Sequence, residues 1–249
     1  MIHIPKNFMG KPIAGSLEKV LSKTPESSGE PQIEPATAQN LSGYIYVPSI
    51  NVYVAKERTH HGLNWHQTHE ALHNEGLRMP TIHEFREFLL YLQKNPNGVQ
   101  GATNEEVAGI FDDIVTVRNP YRAEWLDADF KVKGKELYIH YNHRTVSGTL
   151  TPQNKELLTD YLTENKTPGI DMHDWLQTAN NHGLPKPTIA EGNLYYWAPM
   201  KDNKSVAGFY ADSGGACLGC GRNPGNSNKS LGVRSCVPKT RAEKLAEKK

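Results

Sequence analysis

At ~150 residues per domain, a chain of 249 residues holds one large domain or two small ones. Its 37% hydrophobic and 22% charged residues suit a soluble globular protein and exclude a disordered one. A net charge of +1 excludes a single-sign field for nucleic acid or an anionic membrane, and three cysteines exclude a disulfide-dense scaffold.

The start, Met1 to Leu21, lacks the apolar core and small-residue cleavage site of a secretory signal, so the cytoplasm is the default location. No stretch approaches the ~18 unbroken apolar residues of a membrane span. Residues 1–40 read as a flexible or extended arm. Ser22 to Asn40 is rich in Pro, Ser and Glu and has no apolar periodicity, so ordering it would not be offset by burial.

Tyr44 to Glu57 holds two β-rich runs around a Pro-Ser-Ile turn and predicts two strands. Asn64 to Glu75 predicts a short helix, with Gly76 suited to its C-terminal cap. Thr81 with Glu84 three residues on predicts a capping box. Phe85, Phe88, Leu89 and Leu92 follow at i, i+3, i+4 and i+7, the stripe of a second helix that buries this face. Residues 103–118 predict another helix, ending before Asn119-Pro120. Glu124 to Thr145 turns to strands, with a hairpin centred on Gly134. Residues 152–164 and 171–182 read as helical, the second ended by Gly183 and Pro185. LYYWAP, SVAGFYAD and SLGVRSCV read as strands between Gly- and Asn-rich loops. The charged end, 239–249, reads as a tail with at most a frayed helical turn. Strands, helices and strands in this order argue for an α+β domain over 41–238, not a regular βαβ chain.

Five of the eleven histidines lie between His60 and His73. His69-Glu70-Ala71-Leu72-His73 is a literal HExxH, which on a helix presents two zinc ligands and a general base. With Glu75 the same stretch reads H-x-x-x-H-x-E, a spacing used by some non-haem iron sites. The polar Asn74-Glu75-Gly76 ends the helix where a zinc protease needs it to continue. Glu84 and Glu87 are available as a third ligand, but nothing singles them out. No catalytic zinc at His69 and His73 is therefore expected, and a zinc-dependent hydrolase stands as an alternative. Cys217 and Cys220 form a CxxC without a second pair for structural zinc. ACLGCGRNPG reads as a loop, not the helix start of a redox motif.

Gly208 to Lys229 carries six glycines in 22 residues. It has no phosphate-loop pattern. A codon ending in a pyrimidine cannot encode Trp, Met, Lys, Glu or Gln. These five types make up about a fifth of the chain, yet Lys229 alone represents them in this segment. This is the trace expected where asparagine codons are randomised at their two adenines.

Arg78-Met79-Pro80-Thr81, followed by Glu84 and Phe85, resembles the R-L-P-T-x-x-E-W element of the formylglycine-generating-enzyme type of C-type lectin fold. Ser230-Leu231-Gly232-Val233-Arg234 is similar to that fold's closing G-F-R strand. Leu194-Tyr195-Tyr196-Trp197 stands in the expected order before the glycine-rich stretch. The run from about 205 to 234 resembles the variable region of diversity-generating retroelement target proteins, as found in small-genome archaea and candidate bacterial phyla.

The resemblance implies a C-type lectin-like domain with a mixed or antiparallel sheet, two helices and an insertion. It implies a ligand-binding protein and not an enzyme, with no cofactor and no metal. The partner would be a macromolecule, expected to be a protein, with no nucleic acid and no membrane insertion. The displayed positions would be Phe209, Tyr210, Asp212, Gly214, Gly215, Cys217, Gly219, Gly221, Asn223, Gly225, Asn226 and Asn228. Ala211, Ala216, Leu218, Pro224, Leu231 and Val233 would be frame, and Arg234 the buried or paired arginine of the closing strand. An oxidase of the formylglycine-generating-enzyme type, using Cys217 and Cys220, is the enzyme alternative within the same fold.

Overall fold

The computed structural model describes residues 41–246, with side chains to residue 242, and a separate strand pair, β1 (Asn7–Phe8) and β2 (Lys11–Pro12). The chain divides into the units Met1–Glu34 and Pro35–Lys249. Apart from the β1–β2 pair, the arm expected over 1–40 lies outside the described residues, as do the last three residues of the tail.

The second unit is α+β. After a 3-10 turn at Leu41–Gly43, β3 (Tyr44–Val47) and β4 (Val52–Ala55) pair antiparallel, as their alternating apolar residues demand. Helix α1 (Trp65–Asn74) opens on Asn64, whose side chain accepts from the Gln67 amide in a capping box. It ends at Gly76, where φ is 71°. Helix α2 (Ile82–Lys94) opens on Thr81 with the predicted reciprocal bonds to Glu84. Its stripe of Phe85, Phe88, Leu89 and Leu92 is buried. Helix α3 (Asn104–Val115) is capped by Thr103 and Glu106 in the same way.

β5 (Arg122–Lys133) and β6 (Glu136–Val146) form the expected hairpin, with Gly134 at positive φ in a two-residue turn. β7 (Thr149–Leu157), β8 (Lys166–Ile170), helix α4 (Met172–Thr178) and β9 (Leu194–Trp197) follow. Next come β10 (Val206–Ala211), β11 (Ala216–Arg222), β12 (Leu231–Gly232), β13 (Cys236–Pro238) and helix α5 (Lys239–Ala246). The large sheet runs β7-β6-β5-β10-β11-β9-β8, with β12 beside β5. It is mixed: β11–β9 and β12–β5 are parallel, the other pairs antiparallel. A three-stranded sheet, β13-β4-β3, closes the domain. None of the described helices is long and apolar enough to cross a membrane.

Three expectations are corrected. The helix expected over 152–164 is in fact β7 and the loop after it. Ser147 and Gly148 both take positive φ, which makes a tight hairpin turn and carries the chain back along β6. The loop expected at ACLGCGR is β11, held on one side by β10 and on the other by β9. Within the tail, Lys239–Ala246 forms helix α5 rather than a frayed turn, with Ala242 buried.

Candidate functional site

Side chains alternate across a strand, and the register of β9, β10 and β11 sorts the segment into two faces. Phe209, Leu218 and Tyr196 pair in line and point into the main core. The Phe209 ring lies 5.2 Å from that of Phe85 and stacks at 6.2 Å on Trp175. On the opposite face, Trp125, Gly208, Gly219 and Trp197 line up, with Ala123, Tyr210, Cys217 and Tyr195 beside them.

That second face carries a groove of about 350 Å³. It is lined by Asn165, Trp197, Ala198, Met200, Tyr210, Gly219, Gly221 and Arg222. The glycines make the groove. A Cβ at Gly219 would stand 3.0 Å from the Tyr210 ring, and one at Gly221 would stand 2.9 Å from the Met200 sulfur. Trp197 and Met200 stay 42% and 50% exposed, an unusual state for large apolar side chains at one rim. The Arg222 guanidinium sits 4.9 Å over the Tyr210 ring and 5.6 Å from Trp125. Its Nε is buried without a hydrogen-bond partner.

The expected display positions divide. Tyr210, Gly219 and Gly221 line the groove, Tyr210 and Gly221 half-buried but Gly219 itself buried. Gly225 and Asn226 are exposed beyond it, and Gly214 is exposed beside the Tyr195 ring. Asp212, Asn223 and Asn228 are at the surface, but each turns its side chain back to cap a turn. They accept from Gly214 N at 2.7 Å, Gly225 N at 2.8 Å and Ser230 N at 2.8 Å. Phe209, Cys217 and Gly215 are corrections. Phe209 belongs to the core, Cys217 is buried beneath Tyr210, and Gly215 is a buried turn residue at φ 148°. None of the three can present a side chain to a ligand. The expected frame residues Ala211, Ala216, Leu218, Leu231 and Val233 are buried, and Pro224 is half-buried.

Trp197, Met200 and Arg222 were not singled out by the sequence. The available signal was alternation: Gly219 and Gly221 interleave with Leu218 and Cys220, as on a strand with one packed and one open face.

Arg234 is 1% exposed. It donates to Asp113 Oδ2 at 2.9 Å and to the Lys56 carbonyl, and its Nε lies 3.5 Å from Glu124 Oε2. Glu124 also accepts from Arg122, which reaches Asp113 at 3.1 Å. This buried network ties α3 to β5 under the closing strand.

The CxxC does not form a pair. Cys217 lies on the groove side of β11, whereas Cys220, three residues on, belongs to the main core. Burial pushes the Cys217 thiol up to about 12 and raises Cys220 and Cys236 as well. All three thiols are therefore expected to resist iodoacetamide in the native protein at mildly alkaline pH and to label fully once unfolded. Rapid labelling of Cys217 in the folded protein, followed by mass spectrometry, would show the opposite.

The HExxH does not assemble. Glu70 is exposed and His73 is half-buried, while His69 is buried beside Asp127 and His143. Of the candidate third ligands, Glu84 is held by Arg78 and by the cap of α2, and Glu87 by Ser49 and Arg86. Burial pushes His69 down to about 4 against the pull of Asp127. Burial raises the Asp127 carboxyl, but His69 and His143 outweigh it and hold it below the usual carboxylate range.

Compared with known proteins, the chain matches no family model, no curated protein and no solved structure.

Proposed function

We propose that this is a ligand-binding protein of C-type lectin-like fold, whose segment around β10 and β11 is a binding surface diversified by a retroelement. The observation that carries it is the groove. The segment that avoids Trp, Met, Lys, Glu and Gln contributes Tyr210, Gly219 and Gly221 to one open sheet face. Its interleaved residues Phe209 and Leu218 are locked in the core. A surface that changes its side chains on a constant backbone needs this division. The fold reading is supported by the Arg78–Glu84 pair, with contacts of 2.5 and 2.6 Å, at the capped start of α2. Leu231–Gly232 of the SLGVR run lies beside β5, as a closing strand of that fold would.

The ligand we infer is a protein. Trp197 and Met200 offer an apolar rim, and Arg222 offers a guanidinium already stacked on aromatic rings, the anchor types that dominate protein recognition. The small residues at Gly219 and Gly221 leave this copy's groove open rather than filled by contact side chains. With its cysteines on opposite faces, the oxidase alternative has no cysteine pair to use.

Sequencing the DNA around the gene, and the gene's 3′ end across a population, tests the reading. A near-copy of the 3′ end differing only at adenines, beside a reverse transcriptase, is expected. Substitutions should gather at Tyr210, Gly219, Gly221, Asn223, Gly225 and Asn226 and spare Phe209 and Leu218. An invariant 3′ end with no near-copy would end this proposal.

A further inference from the structure

His69 on α1, Asp127 on β5 and His143 on β6 meet in the interior, 4%, 1% and 7% exposed. One ligand atom from each lies within 4.8 Å of the others. His143 Nδ1 is 2.5 Å from Asp127 Oδ1, and His69 Nε2 is 3.6 Å from the same oxygen. We propose that these three side chains form a binding site for a divalent first-row transition-metal ion, with zinc as the probe. The site is independent of the groove and departs from the sequence expectation of no metal.

Four features support it. First, two imidazoles and one carboxylate are the nitrogen–oxygen donor set that zinc and ferrous iron accept. The two spacings to Asp127 Oδ1, 2.5 and 3.6 Å, bracket the ~3.3 Å edge of a tetrahedron with ~2.0 Å bonds, and all three donor atoms lie within 4.8 Å of one another, so ligation requires the side chains to adjust around the ion.

Second, the interior holds polar atoms that protein groups do not satisfy. His69 Nε2 and Asp129 Oδ1 are both buried without a hydrogen-bond partner. Their near neighbours fall short of hydrogen-bond geometry, Asp127 Oδ1 at 3.6 Å from His69 Nε2 and His140 Nδ1 at 3.4 Å from Asp129 Oδ1, and buried polar atoms are nearly always paired. An ion at the cluster takes up His69 Nε2 directly. Ligation through His143 Nδ1 places that ring's N–H on Nε2, which faces Asp129 Oδ1 at 3.8 Å. A proton on His143 Nδ1, where that nitrogen donates to Asp127, moves to Nε2 or leaves to solvent. A ligating histidine that turns its other N–H toward a carboxylate is the usual outer support of a metal site.

Third, the backbone is bent to make the cluster. Asp129 pairs with His140, so a regular register would bring Asn142 opposite Asp127. Asn142 instead takes φ 55°, and the His143 amide donates to Asp127 Oδ2 at 2.9 Å. That bond fixes the carboxylate with Oδ1 turned to the histidines. An irregular residue that re-aims a side chain is a common device at functional sites.

Fourth, the rings are locked. Trp65 packs edge-on against both imidazoles at 4.3 and 5.0 Å, and its indole N–H is held by the Leu126 carbonyl. Asp127 also borders a cleft of about 350 Å³ that includes Thr81, His83, Tyr141 and His182.

The test uses the full chain, stripped with a chelator and dialysed. Zinc is then titrated and followed by native mass spectrometry, with cobalt as a coloured substitute. One zinc per chain is expected, with cobalt bands of a four- or five-coordinate site. Zinc at a hundredfold excess over its Kd is expected to raise Tm by roughly 5–10 °C. His69→Gln and Asp127→Asn should each lose both the zinc and the rise. His73→Gln should keep both, which separates this site from the HExxH. Folded wild-type chain that takes up no stoichiometric zinc overturns the proposal, and that readout does not depend on whether the variants fold. Zinc retained in His69→Gln would also overturn it.

Discussion

Glu124→Ala is expected to destabilise the domain by about 3–5 kcal/mol, because it leaves two buried guanidinium groups without their shared carboxylate. Glu124 is wholly buried, as are Arg122 and Arg234 to within 2%. Arg58 lies close by, donating to the Ala123 and Ser230 carbonyls, and adds to the local positive charge. Asp113 remains, but its side chain is 36% exposed and already serves both arginines. Glu124→Gln keeps an acceptor and loses the charge, so its cost should be smaller. Urea unfolding of the three proteins measures this. A loss under about 1 kcal/mol in the alanine variant would mean the network is solvated and weak.

The second large effect is Phe209→Ala, at about 3–5 kcal/mol, the usual range for emptying a packed aromatic site. Its ring is clamped between Phe85 and Trp175. Asn226→Tyr, in the same segment but exposed, should stay within about 0.5 kcal/mol. Thermal melts of the pair decide whether the segment has the two faces described. Equal losses at both positions would show a segment packed throughout, and equal tolerance a loose one.

How much of this was legible depends on whether the signal was local. The capped start of α2 could be read because its capping box, Thr81–Glu84, lies within four residues; the same box at Asn64–Gln67 of α1 was equally local but was not singled out. The β5–β6 hairpin announced itself through Gly134. β7 was misread because the strand is polar at both edges of its pattern and is held by backbone pairing to β6, not by an apolar face. Its local clue was Ser147-Gly148, a turn pair that the helical-looking run after it concealed. β11 was misread because Gly and Cys have little strand preference of their own. Its conformation comes from lying between β10 and β9. The groove followed from that strand, so Trp197, Met200 and Arg222 could not be placed together beforehand. The His69–Asp127–His143 cluster was not legible, since its members come from a helix and two strands far apart in the chain. Only the left-handed Asn142 turns the last of them inward.

The pairing scheme also sets when the chain can fold during synthesis. β4, near the start of the domain, has β3 at one edge and receives β13 at the other, from nearly the end of it. β5 likewise waits for β10 and for β12. A nascent chain that has emerged only as far as β9 therefore exposes the open edges of two sheets, and its core lacks Phe209 and Leu218. Such long-range closure makes folding slow and leaves strand edges open to other chains meanwhile. The strands that finish the fold are those that carry the glycine-rich segment. A chain with faulty core residues there would fail once the rest of the domain had emerged, as an unfinished sheet recognisable to chaperones and proteases, before it could present any surface.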